Sequence, residues 1–134
     1  MKVVVDTNVL VSGIFFAGAP GEIVQAWRDG HIEVAISEEI LLEYQRVAED
    51  LSTRYSGVDI GPILRILTIY ADFIETCNCQ VSVCEDPDDD KFIACALASR
   101  SRVIIIGDKH LLKVSGYQGI KVYRPKDFTD LFLS

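Results

Sequence analysis

Lys2-Val3-Val4-Val5-Asp6-Thr7-Asn8-Val9-Leu10 is the stretch that decides the fold. An apolar run begins almost at the first residue, stops on a carboxylate, and resumes soon afterwards. Residues 2–5 are apolar on both faces past Lys2, as expected of a strand buried in the middle of a parallel sheet. A carboxylate at the end of such a strand is costly unless it is hydrogen-bonded, paired or bound to a cation. The question set by Asp6 is therefore whether other acids converge on it.

Working outward, Val103-Ile104-Ile105-Ile106 is the second strongly apolar strand, and it ends on Gly107-Asp108. Shorter strand-like runs lie at 33–36 (Glu-Val-Ala-Ile), at Phe73–Thr76 and at Ile120–Tyr123. Helical signals alternate with them. Pro20-Gly21 opens a helix over about 21–29 that Gly30 stops. Ser37 is a good N-cap, and Glu38 and Glu39 suit the positive end of a helix running to about Asp50, with Ile40, Tyr44, Val47, Ala48 and Leu51 on its apolar face. Pro62 opens a helix to about Ala71 that is apolar on nearly every side, which predicts burial or a subunit contact. Asp86-Pro87 starts a helix to about Ser99. A helical turn is expected at 109–113, and Pro125 opens a terminal helix to about Leu131. The segment from Ser12-Gly13 to Gly18-Ala19-Pro20-Gly21 reads as a loop. Strands alternating with helices predict one α/β domain over residues 1–134, with a mostly parallel central sheet.

Composition bounds the function. At 134 residues and 49% hydrophobic the chain can bury a substantial core, and disorder is excluded. No apolar run approaches a membrane span and no basic-then-apolar leader is visible, so a cytoplasmic protein is expected. A net charge of -7 argues against holding nucleic acid by bulk electrostatics. It does not argue against a nucleic-acid enzyme whose acids bind metal. Of the four cysteines, Cys77, Cys79 and Cys84 invite a zinc reading, but their spacing is not that of structural zinc sites and both histidines are distant. Cys95 reads as a small core residue.

In open α/β sheets, sites form beyond the carboxyl ends of the strands. If the strands at 2–5 and 103–106 are parallel, Asp6 and Asp108 share that edge. A third acid comes from Glu85-Asp86-Pro87-Asp88-Asp89-Asp90. Capping by Asp86 and the helix dipole account for several of these acids without any site. Helical spacing sorts the rest only partly. Asp89 lies over Phe92, Ile93 and Ala96. Asp90 shares Ile93 and adds Ala94 and Leu97. The bulk of Phe92 favours Asp89, with Asp90 as second choice. Glu43 borders the apolar stripe of its helix four residues before Val47; taken alone it is more often a flanking surface residue. Four acids from four segments would bind hard cations through oxygen, Mg2+ or Mn2+. Beside phosphate such ions polarise the phosphoryl oxygen, generate hydroxide and stabilise the leaving oxygen. There is no P-loop and no Gly-rich dinucleotide turn, and neither His31 nor His110 has a partner set for a triad. Lys91, Lys109, Lys113 and His110 could meet a substrate phosphate in this arrangement, although an ordinary surface position explains each of them better.

These segments resemble the PIN-domain family, in particular the small prokaryotic PIN proteins regarded as toxins of toxin–antitoxin pairs (VapC-like ribonucleases). Val5-Asp6-Thr7-Asn8-Val9-Leu10 is similar to the family's opening strand and Asp-Thr-Asn motif. Ser37–Glu43 is similar to the segment of its second acid. Asp89-Asp90-Lys91-Phe92-Ile93-Ala94-Cys95-Ala96-Leu97 is similar to its third-acid helix, and Ile105-Ile106-Gly107-Asp108, continuing into Lys109-His110-Leu111-Leu112, to its fourth. The terminal Tyr123-Arg124-Pro125-Lys126-Asp127-Phe128 fits as well. The family register, counted back from Ala96-Leu97, selects Asp89. The resemblance implies a three-layer α/β/α fold and an Mg2+- or Mn2+-dependent endoribonuclease acting on RNA, with Asp6, Glu43, Asp89 and Asp108 as metal ligands and catalytic acids. It further implies a homodimer inhibited by a cognate antitoxin. Asn8, or the hydroxyl of Thr7 or Ser12, would orient the first acid or a bound water. The segment 77–84 departs from the family pattern.

Two other readings fit the acids. A PIN-like fold that has lost activity would act as a protein-interaction module, although all four acid positions are filled. An acid-tipped strand also occurs in haloacid-dehalogenase-type phosphatases and phospho-receivers. The former place a second Asp two residues after the first, where this chain has Asn8.

Overall fold

The computed structural model describes residues 1–55, 57, 59–76, 80–107 and 110–133. Asp108, Lys109, Cys77 and Cys79 therefore lie outside the described residues. The chain folds as β1 (Lys2–Val5), α1 (Thr7–Phe15), α2 (Ala19–Arg28), β2 (Glu33–Ile36), α3 (Glu38–Arg54), α4 (Gly61–Tyr70), β3 (Asp72–Phe73), a 3-10 turn (Pro87–Asp89), α5 (Asp90–Ser99), β4 (Val103–Ile105), β5 (Lys121–Tyr123) and α6 (Pro125–Phe128). Two further 3-10 turns separate β4 from β5, and a π-type turn (Thr129–Leu133) follows α6.

The five strands form one parallel sheet in the order β3-β2-β1-β4-β5. Val3, Val4 and Val5 pair with Val103, Ile104 and Ile105, so β1 and β4 are central, and their apolar residues on both faces are buried. The chain steps outward from β1 through β2 to β3, then crosses back to β4. Right-handed crossovers place the connecting helices of these two directions on opposite faces of the sheet. The result is the α/β/α arrangement expected from the sequence. α5 packs on β1, β2 and β4, while α1 packs against α2, α3 and α4. The reversal of strand order falls between β1 and β4, where ligand crevices form in such sheets.

The largest departure from the sequence reading is α1. Residues 7–15 are helix, not the tail of a strand and then a loop. Val9-Leu10-Val11 looks strand-like because β-branched residues favour extended backbone. Capping overrides that preference. Asp6 has extended backbone, its amide donates to the Ile105 carbonyl at 2.9 Å, and its own carbonyl accepts from the Leu10 amide at 3.1 Å. The β1–β4 ladder and the helix thus share one residue.

Other differences are smaller. α2 starts at Ala19, and α3 runs one turn past Asp50 to Arg54. β3 is two residues long, starts one residue earlier than expected and keeps only Phe73 of the run at 73–76. The terminal helix gives way to the π-type turn after Phe128. α4 buries Ile63, Ile66 and Leu67 but leaves Leu64 and Ile69 exposed, so its all-round apolarity resolves into one buried and one open face. Cys95 is fully buried in the core, as expected.

Tyr44 ties α3 to the end of β1. It is fully buried, and its hydroxyl donates to the Val5 carbonyl one residue before Asp6. Burial pushes its phenol well above the usual range, which keeps it a neutral donor. Tyr44→Phe is expected to cost about 1–2 kcal/mol through the lost buried hydrogen bond. A urea midpoint that falls at unchanged m-value would show it; an unmoved midpoint would mean the hydroxyl contributes nothing.

A cleft of three acids at the sheet's switch point

Asp6 is held from two sides by backbone. One carboxylate oxygen accepts from the Val9 amide in the first turn of α1 at 2.9 Å, and the other from the Gly107 amide beyond β4 at 2.9 Å. The first bond is an ordinary N-cap, worth about 1 kcal/mol. The second joins the ends of the two central strands. Asp6 is 5% exposed, and burial pushes its carboxyl above the usual range, against the opposing amides of Val9, Gly107 and Asn8; the nearby Glu43 charge adds to the rise. Thr7 does not orient this acid. Its hydroxyl reaches across to the Glu43 carboxylate instead.

Glu43 comes from the second turn of α3. Its other oxygen accepts from the Lys91 ammonium at 2.6 Å, and the Arg46 guanidinium, one turn on, lies 3.7 Å away. Lys91 is itself bound to Asp88 at 3.0 Å. Burial works against the Lys91 charge, but Glu43 and Asp88 outweigh it and hold the ammonium above its usual pKa; Lys91 in turn lowers that of Asp88.

Asp6, Glu43 and Asp89 line one cleft of about 220 Å³, together with Thr7, Asn8, Arg46, Val47, Phe92 and Leu111. Asp90 faces elsewhere: one of its oxygens accepts from the amides of Val83 and Cys84 at 3.1 and 3.0 Å. It anchors the incoming segment and does not line the cleft. The structure thus separates the two adjacent acids that helical periodicity could not. The reason is the 3-10 turn at 87–89, which shifts the register ahead of α5. Asp86 caps that turn through the Asp88 amide at 3.0 Å, as expected.

The remaining sequence candidates are less central. Ser12 does not line the cleft. Lys91 is committed to Glu43 and Asp88 rather than facing open solvent. His110 is exposed with Nδ1 3.5 Å from Glu85, which also holds Lys113 at 2.9 Å. Burial, and then Asp90, raises the Cys84 thiol to about 12, which leaves it without nucleophilic character at neutral pH. Two contributors were missed from sequence: the Gly107 amide and Arg46. Spacing signalled Arg46, which sits at i+3 from Glu43; nothing signalled the amide.

The model of the PIN domain matches residues 2–110. The chain belongs to the PIN domain family. An uncharacterized protein, MJ1680, of Methanocaldococcus jannaschii is 35% identical over 146 aligned positions, which cover 98% of this chain and 92% of the relative. PIN domains are in general nucleases and typically bind divalent metal ions, so a nuclease-type function is the general expectation for this PIN protein. Among the described residues no single helix is long and apolar enough to cross a membrane.

The donor set suits such an ion. Carboxylate oxygens from three elements meet in a small cleft, and hard divalent cations take oxygen ligands. As they stand, no three acid, histidine or cysteine side chains among the described residues are arranged to hold a metal.

The raised pKa of Asp6 has a definite sign. An acid whose folded pKa exceeds its unfolded value binds more protons in the native state, so its contribution to stability becomes less favourable as pH rises from about 3.8 through the folded value. Melting curves from pH 3.5 to 7, in chelator, should show wild type losing stability relative to Asp6→Asn as pH rises. A gap constant with pH would contradict the shift.

Proposed function

We propose that this PIN protein is an Mg2+- or Mn2+-dependent endoribonuclease. The observation that carries the reading is the meeting of Asp6, Glu43 and Asp89 in one cleft at the switch point between β1 and β4. Asp108, two residues beyond Ile106, completes the proposed ligand set.

Asp6, Glu43, Asp89 and Asp108 would hold the ion. When bound, it supplies Lewis-acid polarisation of the phosphoryl group and an activated water. The backbone amides of Val9 and Gly107 fix Asp6, so that this ligand needs no reorganisation on binding. Thr7 fixes Glu43. Arg46 is 73% exposed in its side chain. It lines the cleft and offers a guanidinium to a phosphate. The acids repel RNA except where a cation offsets them, which fits an enzyme of net charge -7 that binds its substrate locally.

A toxin role is part of the proposal, with a cognate antitoxin whose Arg or Lys side chains enter the acidic cleft. So is a homodimer using the open face of α4, with Leu64 and Ile69. Both follow from the family resemblance and from charge and exposure.

The test is incubation of pure protein with structured and single-stranded RNA in Mn2+ or in chelator. Cleavage confined to Mn2+ or Mg2+ supports the enzyme. Metal-loaded protein that cuts neither RNA favours the interaction module. Growth arrest on induction, relieved by Asp6→Asn, tests the toxin role, and light scattering tests the dimer.

A further inference from the structure

Lys91 is left unexplained by a four-acid metal site. Its ammonium lies 2.6 Å from Glu43 Oε1 and 3.0 Å from Asp88 Oδ1, and the side chains of Lys91 and Glu43 are each only 13% exposed. The other Glu43 oxygen is taken by the Thr7 hydroxyl. Both oxygens of this acid are therefore satisfied within the protein, one of them by a full positive charge in a poorly hydrated setting. Asp6 differs. Its oxygens accept from the neutral backbone amides of Val9 and Gly107, and among the described residues no cation stands within ion-pair distance of it.

A divalent ion on Glu43 would sit beside the ammonium that already occupies Oε1. Two cations on one carboxylate repel each other, most strongly where water is scarce. Asp88 offers the ammonium somewhere to go: it lies three residues earlier on the same side, is 65% exposed in its side chain, and already binds Lys91.

We infer that Lys91 is a built-in counter-ion of Glu43 that competes with the divalent metal, leaves Glu43 for Asp88 as the ion binds, and thereby sets the metal concentration at which the site loads. The inference rests on the proposed reading of Glu43 as a metal ligand. It makes Lys91 a positioning residue acting through Glu43. The physical rationale is that paired acids in a cleft are costly without a cation, so a tethered lysine stabilises the site while no ion is there. The same bond weakens the affinity for the ion.

The test is calorimetric titration of Mn2+ into wild type, Lys91→Met and Lys91→Arg, with melting temperatures measured in chelator. Lys91→Met is expected to bind Mn2+ tighter, on the order of 10-fold, and to melt lower in chelator, with a larger gain on adding metal. Lys91→Arg, which keeps the charge, should stay near wild type. Unchanged or weaker binding by a folded Lys91→Met, with wild type binding normally, overturns the inference and leaves the metal site standing. Wild type that binds no Mn2+ overturns the metal site and the inference with it. A measurement on the wild type covers the case of a variant that does not fold. In an NMR titration with Mg2+, the Lys91 side-chain resonances should move in step with occupancy; resonances that stay put at saturation overturn the displacement.

Discussion

Asp6→Asn is expected to lower metal-dependent RNA cleavage by about 1,000-fold, equivalent to about 4 kcal/mol of transition-state stabilisation. The substitution removes the charge of a cleft acid held by the backbone amides of Val9 and Gly107. It also disturbs the geometry that fixes the acid. Asp6 accepts from the Val9 amide through one oxygen and from the Gly107 amide through the other. An asparagine has one acceptor oxygen, so its amide group must face one of those two N–H donors. If the oxygen keeps the Val9 cap, the Gly107 amide loses its acceptor, and the link between the ends of β1 and β4 opens. The fold should survive, because the N-cap and the apolar sheet remain. The measurement is cleavage rate at saturating Mn2+ alongside a melting curve. A folded variant that retains rates within about 10-fold of wild type would remove Asp6 from the proposed machinery, since loss of even an outer-shell partner of a metal site costs about 10- to 100-fold.

Gly13→Ala should give the largest structural effect. A Cβ built on Gly13 would lie 2.4 Å from the Pro20 carbonyl oxygen and 2.5 Å from a Val24 methyl. The first of these atoms is backbone, held in the opening turn of α2, and cannot rotate away. α1 and α2 meet at 87° across a short break, and Gly13 is where their backbones touch. Alanine would add about 1 kcal/mol of helix propensity, but the overpacking reverses that gain. A net loss of about 3 kcal/mol is expected, seen as a drop in Tm of roughly 10 °C. Gly107→Ala is the internal control. Its added Cβ meets Val9 and Asn8 at ordinary distances of 3.7 and 3.8 Å, and the amide that holds Asp6 is kept. It should change stability by less than about 0.5 kcal/mol. Equal effects at the two glycines would show that the α1–α2 approach is looser than described.

Much of the framework was legible because it rests on local signals. The apolar runs at 3–5 and 103–105 are what a doubly covered parallel sheet demands. Ser37 with two following glutamates, and Pro at 20, 62, 87 and 125, mark helix starts by capping and fixed φ. α1 was not legible. Its Val9-Leu10-Val11 run continues an apolar strand without a break, and the only sign of a helix is that Asp6 can cap one. Whether it does depends on the chain turning there, which the Ile105 and Gly107 contacts enforce from a hundred residues away.

The same division runs through the site. Sequence placed acids at the ends of two buried strands and at the edges of two helices, since periodicity reports which side of an element a residue occupies. It did not separate Asp89 from Asp90, because adjacent residues in a first turn are only partly resolved by helical spacing and the turn proved to be 3-10. It could not show that the Thr7 hydroxyl serves Glu43 rather than Asp6, or that Lys91 is bound between Glu43 and Asp88 and not left on the surface. These are contacts between α1, α3 and α5, elements that meet only when the sheet has brought them together. What the sequence determined by itself was the sheet's central strands and the acid, Asp6, that ends the first of them, because burial and capping are written residue by residue. Only the tertiary structure decided that Asp6 shares a cleft with Glu43 and Asp89, and which cation Glu43 already holds, because both depend on distances across chain segments far apart in sequence.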